Sequence, residues 1–467
     1  MKKGETGTGV IGMTRFPDRG SIAREDGSVA IKHAIPGREV EYRITRKRNG
    51  SAEGMVLRTL KPGPLETAEN PCPLNGLCGG CLYQTLPYEA QLGLKEAQLR
   101  ELLSGYTGLT LSGDREGDGL LLWEGLAGSP LPEGYRNKME YSFGDSVPEG
   151  PLELGLHRRG SRYDVLTAGE CRLVHPDYNR ILLETLACFR EAGVPFYHKV
   201  RRDGCLRHLL VRRGERSGEI LVCLVTVSGH EKLTRELLEQ WVQRLRALPL
   251  GGTIAGILHT RNDSAADAVI DQGTEVLYGR DYFEETMSGL TFRITPFSFF
   301  QNNTGGAEIL YGIVADYAGD TRGKTVFDLY CGTGTIAQIV AGTADRTVGV
   351  ELVPEAVEAA RENAARNGVG NCSFVAGDVL KVLDTLEEKP DVIILDPPRT
   401  GVHPKALRKI AAYGVPELVY VSCKPSSLQQ DLGILQEAGY RPVRARGVDM
   451  FPQTPNAELV LKLKRTF

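Results

Sequence analysis

A thiol and a carboxylate near the end of the chain are the side chains best suited to covalent chemistry. Cys423 follows the apolar run 418–422, and a Lys-Pro pair comes directly after it. Such a run, ended by a proline-containing turn, predicts a buried parallel strand, and open α/β sheets bind ligands at the carboxyl ends of their strands. Glu458 lies near the start of a second apolar run, 457–463. Together with a glycine loop upstream, this pattern suggests group transfer through a nucleophilic thiol.

The lysine after the thiol bears on its reactivity. A free thiol is only a few per cent ionised at neutral pH, and a neighbouring cation favours the thiolate. We therefore expect Lys424 to lower the pKa of Cys423. A buried structural thiol is the alternative interpretation, because Cys is among the most buried residue types.

The glycine loop has the spacing of a nucleotide-cofactor site. Gly332 and Gly334 follow a predicted strand that ends near Asp328, and Glu351 ends the next strand nineteen residues after Gly332. Glycine allows a tight turn close to a ligand, and a carboxylate at this position can bind ribose hydroxyls. Because the third glycine of the dinucleotide fingerprint is missing, the pattern favours S-adenosylmethionine over a nicotinamide cofactor. Asp378 ends the third strand, where it could meet the adenine.

Four cysteines form a separate group with the spacing of a metal-binding motif. Cys72, Cys78 and Cys81 are close in the sequence, and Cys171 follows much later. Thiols in this pattern can hold a zinc ion or an iron–sulfur cluster, and the spacing alone does not choose between them. In a chain without a secretion signal, ten cysteines indicate metal or catalytic roles rather than disulfides.

Three kinds of folded unit are predicted to position these groups. Residues 1–62 contain short runs between Gly, Pro and Asp turns, which predict an OB-like β-barrel. Residues 63–295 predict a mixed α+β central domain. Over residues 296–467, strands alternate with helices, which predicts an α/β, doubly wound, Rossmann-like domain. The strands predicted there are 325–329, 346–351, 372–376, 391–395 and 418–422.

Composition narrows the function classes. The chain has 467 residues, of which 41% are hydrophobic and 25% charged, as in globular proteins. No apolar run is long enough to span a bilayer, and the N-terminus has no apolar signal core, so we expect a cytoplasmic protein with no membrane partner. The net charge of −3 provides no global basic field, so any nucleic-acid site must be local.

The central region is the best candidate for such a site, because basic and aromatic residues coincide there. The basic residues are His157-Arg-Arg159, Arg162, Lys199, Arg201, Arg202, Arg207, Arg212 and Arg213, and the aromatic residues are Tyr135, Tyr141, Phe143 and Tyr163. Side chains of these two types bind unstacked RNA bases and phosphates. We therefore expect this region to bind RNA with an affinity that falls with salt. An ordinary solvated surface is the alternative.

In their order along the chain, these motifs resemble those of the S-adenosylmethionine-dependent RNA uracil-C5 methyltransferases. The recurring segments are Phe299-Phe-Gln-Asn-Asn303, the Asp328 loop, Asp396-Pro-Pro-Arg399, Ser422-Cys423, and Phe451-Pro-Gln-Thr454 with Glu458. The resemblance covers essentially the whole chain. It identifies the C-terminal region as a methyltransferase domain, and the N-terminal module is similar to the TRAM domain of many family members.

The resemblance implies a mechanism and the residues that perform it. Cys423 is expected to attack uracil C6, so that C5 can accept the methyl group, and Glu458 is expected to remove the C5 proton. The implied contacts to S-adenosylmethionine are those of Gln301, Tyr330, Thr335, Glu351, Asp378 and Asp396. The implied ligands of a [4Fe–4S] cluster are Cys72, Cys78, Cys81 and Cys171.

The resemblance also indicates a substrate and leaves alternatives. The cluster combined with a TRAM-like module is similar to the ribosomal members, which implies 5-methyluridine formation in 23S rRNA; transfer RNA is the second choice. A monomer is the default expectation. Lys424 and Asn456 stand where the family usually has Asn and His, which leaves open a weakened enzyme or a non-catalytic RNA-binding protein of ribosome assembly. A cytosine-C5 enzyme would carry a second active-site Cys. An amino-methyltransferase would have an aromatic residue at Arg399.

Overall fold

The computed structural model of the protein describes residues 1–48, 51–69, 71–266 and 269–466. Its N-terminal strands are β1 (Thr6–Val10), β2 (Gly20–Arg24), β3 (Gly27–Ile31), β4 (Glu39–Arg48) and β5 (Ser51–Lys61). They form one sheet in the order β1-β4-β5-β3-β2. Beyond β1, the Gly12 amide donates to the Ser21 carbonyl at 2.9 Å, which brings the two edge strands together around a small apolar core.

Helix α1 (Tyr88–Thr107) comes next, followed by the short strands β6 (Thr110–Ser112) and β7 (Leu120–Ala127). Unlike most surface helices, α1 buries polar side chains together with apolar ones, namely Gln91, Lys95 and Gln98. Because a buried polar group must find a partner, these three residues indicate specific contacts with other segments.

A seven-stranded sheet forms the centre of the middle region. Its strands are β8 (Lys138–Gly144), β9 (Glu153–His157), β10 (Val165–Thr167), β11 (Leu206–Arg213), β12 (Glu219–Thr226), β13 (Thr253–Arg261) and β14 (Thr274–Gly279). Their order is β10-β9-β8-β11-β12-β13-β14. Helices α2 (Pro176–Glu191) and α3 (Arg235–Arg246) cover one face of this sheet, where Phe189 and Trp241 belong to the same hydrophobic cluster as Val222.

The C-terminal region follows a hairpin of β15 (Phe283–Met287) and β16 (Leu290–Ile294). Its further strands are β17 (Thr325–Leu329), β18 (Arg346–Glu351), β19 (Cys372–Ala376), β20 (Val392–Leu395), β21 (Glu417–Ser422), β22 (Tyr440–Val448) and β23 (Glu458–Arg465). Its helices are α4 (Thr304–Ala318), α5 (Thr335–Ala341), α6 (Pro354–Arg366), α7 (Val379–Val382), α8 (Pro404–Ala412) and α9 (Leu428–Glu437).

One nine-stranded sheet results, in the order β19-β18-β17-β20-β21-β23-β22-β7-β6. Strands β17 to β21 are parallel to one another, and β23 runs antiparallel to β21. The predicted α/β class is therefore confirmed, with strand limits close to those expected. The sequence did not indicate that β6 and β7, from the middle region, would extend this sheet, with β7 pairing with β22 and β6 pairing with β7.

The middle and C-terminal regions share a hydrophobic core. Leu221 and Cys223 of β12 point away from α2 and α3 and pack in the same cluster as Val419 of β21. Among the described residues, no helix is both long and apolar enough to cross a bilayer.

Candidate active site

Most of the predicted site residues face one cavity of about 1690 Å³. It lies at the carboxyl ends of the parallel strands, and β23 also begins at this edge because it runs antiparallel to β21. The predicted residues that line it are Gln301, Tyr330, Gly332, Thr335, Glu351, Asp378, Asp396, Cys423 and Glu458. Gly334 lies behind the loop instead, against Phe374.

The loop after β17 fixes the carboxylate at the end of β18. The Gly332 amide donates to Glu351 Oε2 at 3.1 Å, and the Val353 amide donates to Glu351 Oε1 at 2.9 Å. Gly332 and Gly334 have φ of 54° and 74°, which glycine adopts readily because it has no Cβ. These bonds hold Glu351 at the cavity wall, where its remaining lone pairs can accept bonds from hydroxyl groups.

Asp378 and Gln301, two further residues predicted to contact the cofactor, line the same cavity, and each forms a hydrogen bond with a nearby segment. Asp378 is exposed, and its Oδ1 accepts a bond from the Leu380 amide at 2.8 Å as the N-cap of α7. The carbonyl of Gln301 accepts from Asn137 Nδ2 at 2.8 Å, which ties this part of the cavity wall to the residue just before β8. Asn137 has no sequence signal of this role.

Asp328 supports the loop from beneath. It is 1% exposed, and its Oδ2 accepts a bond from the Ala337 amide at 2.9 Å, which joins β17 to α5. Burial, and then the Asp396 carboxylate, raise the pKa of Asp328 to about 8. Its role is therefore to hold the loop rather than to touch a ligand.

Cys423 and Glu458 lie opposite one another on neighbouring strands. Ser422, the last residue of β21, pairs with Leu459 of β23. Because the two strands are antiparallel, Cys423, directly after Ser422, lies next to Glu458, directly before Leu459. Burial raises the pKa of Cys423 to about 11, and the carboxylates of Glu458 and Asp396 contribute. Burial, and then Asp396, raise the pKa of Glu458 to about 8. Both shifts favour the protonated forms of the two groups.

The expectation that Lys424 would lower the pKa of Cys423 is wrong. The cation that acts in this direction is Arg399, after β20, which also lowers the pKa of Glu458. Lys424 is exposed and does not line the cavity, whereas Arg399 does. Arg399 is part of the Asp-Pro-Pro-Arg motif, but it lies far from Cys423 in the sequence. Lys424 was expected to act on the thiol only because it is the next residue along the chain.

We predict that Arg399→Gln slows alkylation of Cys423 by iodoacetamide at pH 9 by about threefold, because the thiolate fraction falls as the thiol pKa rises. Lys424→Asn is the matched control and should leave the rate unchanged. Mass spectrometry of the peptide containing Cys423 measures the rate separately from the other cysteines. An equal effect of both substitutions would contradict the assignment to Arg399.

The predicted RNA-binding group divides into core and surface residues. Arg207 and Arg212 are 4% and 1% exposed, and both bind backbone carbonyls inside the protein. Tyr135, Tyr141 and Phe143 are also buried. The expectation that these five residues contact RNA is wrong, because all five side chains lie in the protein interior. The aromatic residue that remains accessible is Tyr163, which is 62% exposed.

The four predicted metal ligands lie together. Cys72, Cys78, Cys81 and Cys171 line a cavity of about 30 Å³. Burial raises the pKa of Cys81 to about 12 and that of Cys171 to about 11. Arg159 anchors the loop, since its Nη2 donates to the carbonyls of Cys78, at 3.2 Å, and Cys81. Within the described ranges, no group of three or more His, Cys, Asp or Glu side chains has the arrangement of a metal site.

Comparison with known proteins identifies the family. A family model described as "Methyltransferase domain" matches residues 320–440. An RNA methyltransferase of Clostridium tetani, named as uncharacterized, is 45% identical over 465 residues, covering 100% of this chain and 99% of its own. The chain belongs to the RNA methyltransferase family. A second relative with that name, from Caldanaerobacter subterraneus, is 42% identical over the full length of both chains.

A solved structure shows the same fold over the whole length of this methyltransferase. It is the Pyrococcus abyssi tRNA (uracil-54, C5)-methyltransferase in complex with S-adenosyl-L-homocysteine, with a TM-score of 0.74 and 23% sequence identity. The superposition covers 98% of this chain and 99% of the other. The methyltransferase fold supports S-adenosylmethionine as the cofactor.

Proposed function

We propose that this RNA methyltransferase forms 5-methyluridine by covalent catalysis, with Cys423 as the nucleophile and Glu458 as the general base. The observation that carries this proposal is the pairing of Ser422 with Leu459, because it places the thiol and the carboxylate opposite one another at the cavity. A lone buried thiol would need no such partner. Uracil C5 is a poor nucleophile, and a thiol that adds to C6 activates it.

The residues act in a defined order. The Cys423 thiol gives its proton to water, and the thiolate forms a bond to C6. The C5–C6 electron pair moves into an enolate on the C4 carbonyl oxygen, which makes C5 nucleophilic. Bound S-adenosylmethionine supplies an electrophilic methyl group to C5. Glu458 then removes the C5 proton, the C6–sulfur bond breaks, and Cys423 leaves as the thiolate. The net change replaces the C5 hydrogen of uridine by methyl and releases one proton, while the protein is unchanged.

The cation Arg399 lowers the pKa of both catalytic groups, and so it favours the charged forms that the reaction needs. Asp396 opposes it, because its own carboxylate raises both values. The pKa of Asp396 is itself raised to about 7 by burial, so much of it is neutral near pH 7.

We place S-adenosylmethionine along the wall formed by Gln301, Tyr330, Gly332, Thr335, Glu351, Asp378 and Asp396. The bonds that fix Glu351 and the turn at Gly332 support this placement. The target uridine then occupies the side of the cavity with Cys423 and Glu458. A base paired in a helix could not reach that depth, so the enzyme must take the uridine out of its stack.

For the substrate, we propose 23S rRNA. The combination of a TRAM-like N-terminal sheet with a four-cysteine group supports this choice, and a monomer working in the cytoplasm would suffice for it. The fold is shared with an enzyme that acts on transfer RNA, so transfer RNA is the alternative to be tested.

Mass spectrometry of nucleosides from ribosomal and transfer RNA tests the proposal. A strain lacking this gene is compared with the same strain carrying the wild-type gene, Cys423→Ala or Glu458→Gln. We expect 5-methyluridine to disappear from 23S rRNA and to return with the wild-type gene alone. Loss from transfer RNA would keep the chemistry and change the substrate. If 5-methyluridine were unchanged in both RNAs, the proposed reaction would be wrong.

The four cysteines are proposed to hold a [4Fe–4S] cluster with a structural role. Their donor set fits, because four thiols are what such a cluster uses, and they surround one cavity. We predict that Cys171→Ser, purified without oxygen, loses most of its iron and its absorbance near 400 nm, and unfolds at a lower temperature than the wild type. Cys188→Ser, at a buried cysteine outside the group, is the control for iron content. Stoichiometric zinc in the wild type would contradict the cluster.

A further inference from the structure

The loop before Glu458 contains a residue in an unusual conformation that is held from a distant helix. Residues 449–457 connect β22 to β23, and Gln453 in this loop has a φ of 68°, which is uncommon for a residue with a side chain. Gln91 of α1, which is 0% exposed, brackets it. The Gln453 amide donates to Gln91 Oε1 at 2.9 Å, and Gln91 Nε2 donates to Gln453 Oε1 at 2.9 Å.

The carbonyl of Gln453 is held as well. It accepts bonds from the amides of Leu82 and Tyr83, at 2.9 and 3.0 Å. Gln91 Nε2 also donates to the Leu86 carbonyl at 2.9 Å, within the segment 82–91. Gln91 therefore joins this segment to the loop through its two hydrogen bonds with Gln453. Both the amide and the carbonyl of Gln453 therefore form hydrogen bonds with residues 82–91.

Two other buried contacts fix the loop on either side of Gln453. The Tyr135 hydroxyl donates to the Pro452 carbonyl at 3.0 Å. Lys95 Nζ donates to Asp449 Oδ1 at 2.7 Å, and both side chains are 0% exposed. A backbone conformation that costs free energy persists only where the surroundings enforce it, and such residues concentrate at functional sites.

Glu458 depends on this loop because little else orients its carboxylate. In the part of the chain that the structure describes, no hydrogen bond reaches the Glu458 carboxylate. Its side chain is 3% exposed, and the loop residues Phe451, Thr454 and Asn456 line the cavity with it. The backbone of Glu458 is held by pairing with Val448, so the loop wall determines the direction of the side chain.

We propose that Gln91 is a positioning residue for Glu458, acting through Gln453. It keeps Gln453 in the left-handed conformation and so fixes the loop wall that aims the Glu458 carboxylate at the substrate. The inference rests on the proposed role of Glu458 as the base. Because proton removal is the last chemical step, a displaced Glu458 slows the release of RNA from Cys423 without preventing attack or methyl transfer.

The test uses Gln91→Met, which keeps the length of the side chain and removes its hydrogen bonds. Purified full-length protein is mixed with uridine-containing RNA and S-adenosylmethionine, and the SDS-stable protein–RNA complex and kcat are measured. We expect kcat to fall by about tenfold to a hundredfold, a methylated covalent complex to accumulate as it does in Glu458→Gln, and KM for the RNA to change little. Tyr135→Phe removes one bond to the same loop and should give a smaller effect in the same direction.

Gln98→Met is the matched control. Gln98 is a buried residue of the same helix, 2% exposed, but its Nε2 donates to Thr14 Oγ1 at 2.7 Å, in the N-terminal region. It should lower the unfolding temperature about as much as Gln91→Met and leave the covalent complex at the wild-type level. Loss of kcat in Gln91→Met and Tyr135→Phe without a covalent complex would overturn the inference. If Glu458→Gln itself accumulated no complex, the proposed function would fail instead.

Discussion

Replacing Glu458 by Gln is expected to leave the protein covalently attached to its RNA. The amide has nearly the size of the carboxyl group but accepts no proton, so thiol attack and methyl transfer proceed while elimination stops. We expect turnover to fall by about 10²–10⁴-fold. On a denaturing gel, labelled uridine RNA should migrate with the protein after incubation with S-adenosylmethionine. Cys423→Ala should give neither product nor complex, because the bond to C6 cannot form.

The control for this pair is Glu437→Gln, an exposed carboxylate at the end of α9, which should behave as the wild type. Asp396 is the competing candidate for the base, since it lines the same cavity and acts on the pKa of both catalytic groups. If Asp396→Asn accumulated the complex and Glu458→Gln did not, the roles of the two carboxylates would have to be exchanged. Full activity of Cys423→Ala would exclude covalent catalysis by this thiol.

The C-terminal sheet could be predicted because its signals are local. Strands β17 to β21 are short apolar runs between loops with Gly, Pro or Asp, and their order follows from alternation with helices. Once they are parallel, every polar residue at a strand end falls on one edge, which brings Glu351, Asp396 and Cys423 to one cavity. Glu458 joins them because β23 runs in the opposite direction.

What the sequence did not reveal depends on contacts between distant segments. β7 joins the nine-stranded sheet by pairing with β22, more than three hundred residues away, and β6 then pairs with β7 at the edge. Nothing in residues 110–127 specifies β22 as the partner. The same holds for Gln91 and Lys95, whose polar side chains make α1 look like a surface helix although they are fully buried. The expectation for Arg212 failed because a charged side chain was expected at the surface. Its guanidinium instead lies in the interior, where the carbonyls of Thr295 and Ser298 accept its hydrogen bonds.

Gly334→Ala is expected to weaken cofactor binding strongly, although it adds only one methyl group. Gly334 has a φ of 74°, and a Cβ at this position would lie 2.4 Å from Phe374 Cε1. The ring is 5% exposed and packed against α6, so it has little room to move. The loop must shift instead, and it carries the Gly332 amide that holds Glu351. We expect the Kd for S-adenosylhomocysteine to rise by about tenfold to a hundredfold, or about 1.4–2.8 kcal/mol.

Gly323→Ala is the control that distinguishes a collision with Phe374 from the strain of placing alanine at a positive φ. Gly323 has a φ of 70°, close to that of Gly334, but among the described residues no atom beyond its chain neighbours lies within 4 Å of the place that a Cβ would take. Both variants should therefore lose some thermal stability, whereas calorimetry should show weaker S-adenosylhomocysteine binding for Gly334→Ala alone. Equal affinities in the two variants would mean that the turn at Gly334 does not shape the cofactor site. RNA binding measured without cofactor should be the same in both, because the loop touches the wall for the methyl donor and not the side with Cys423 and Glu458.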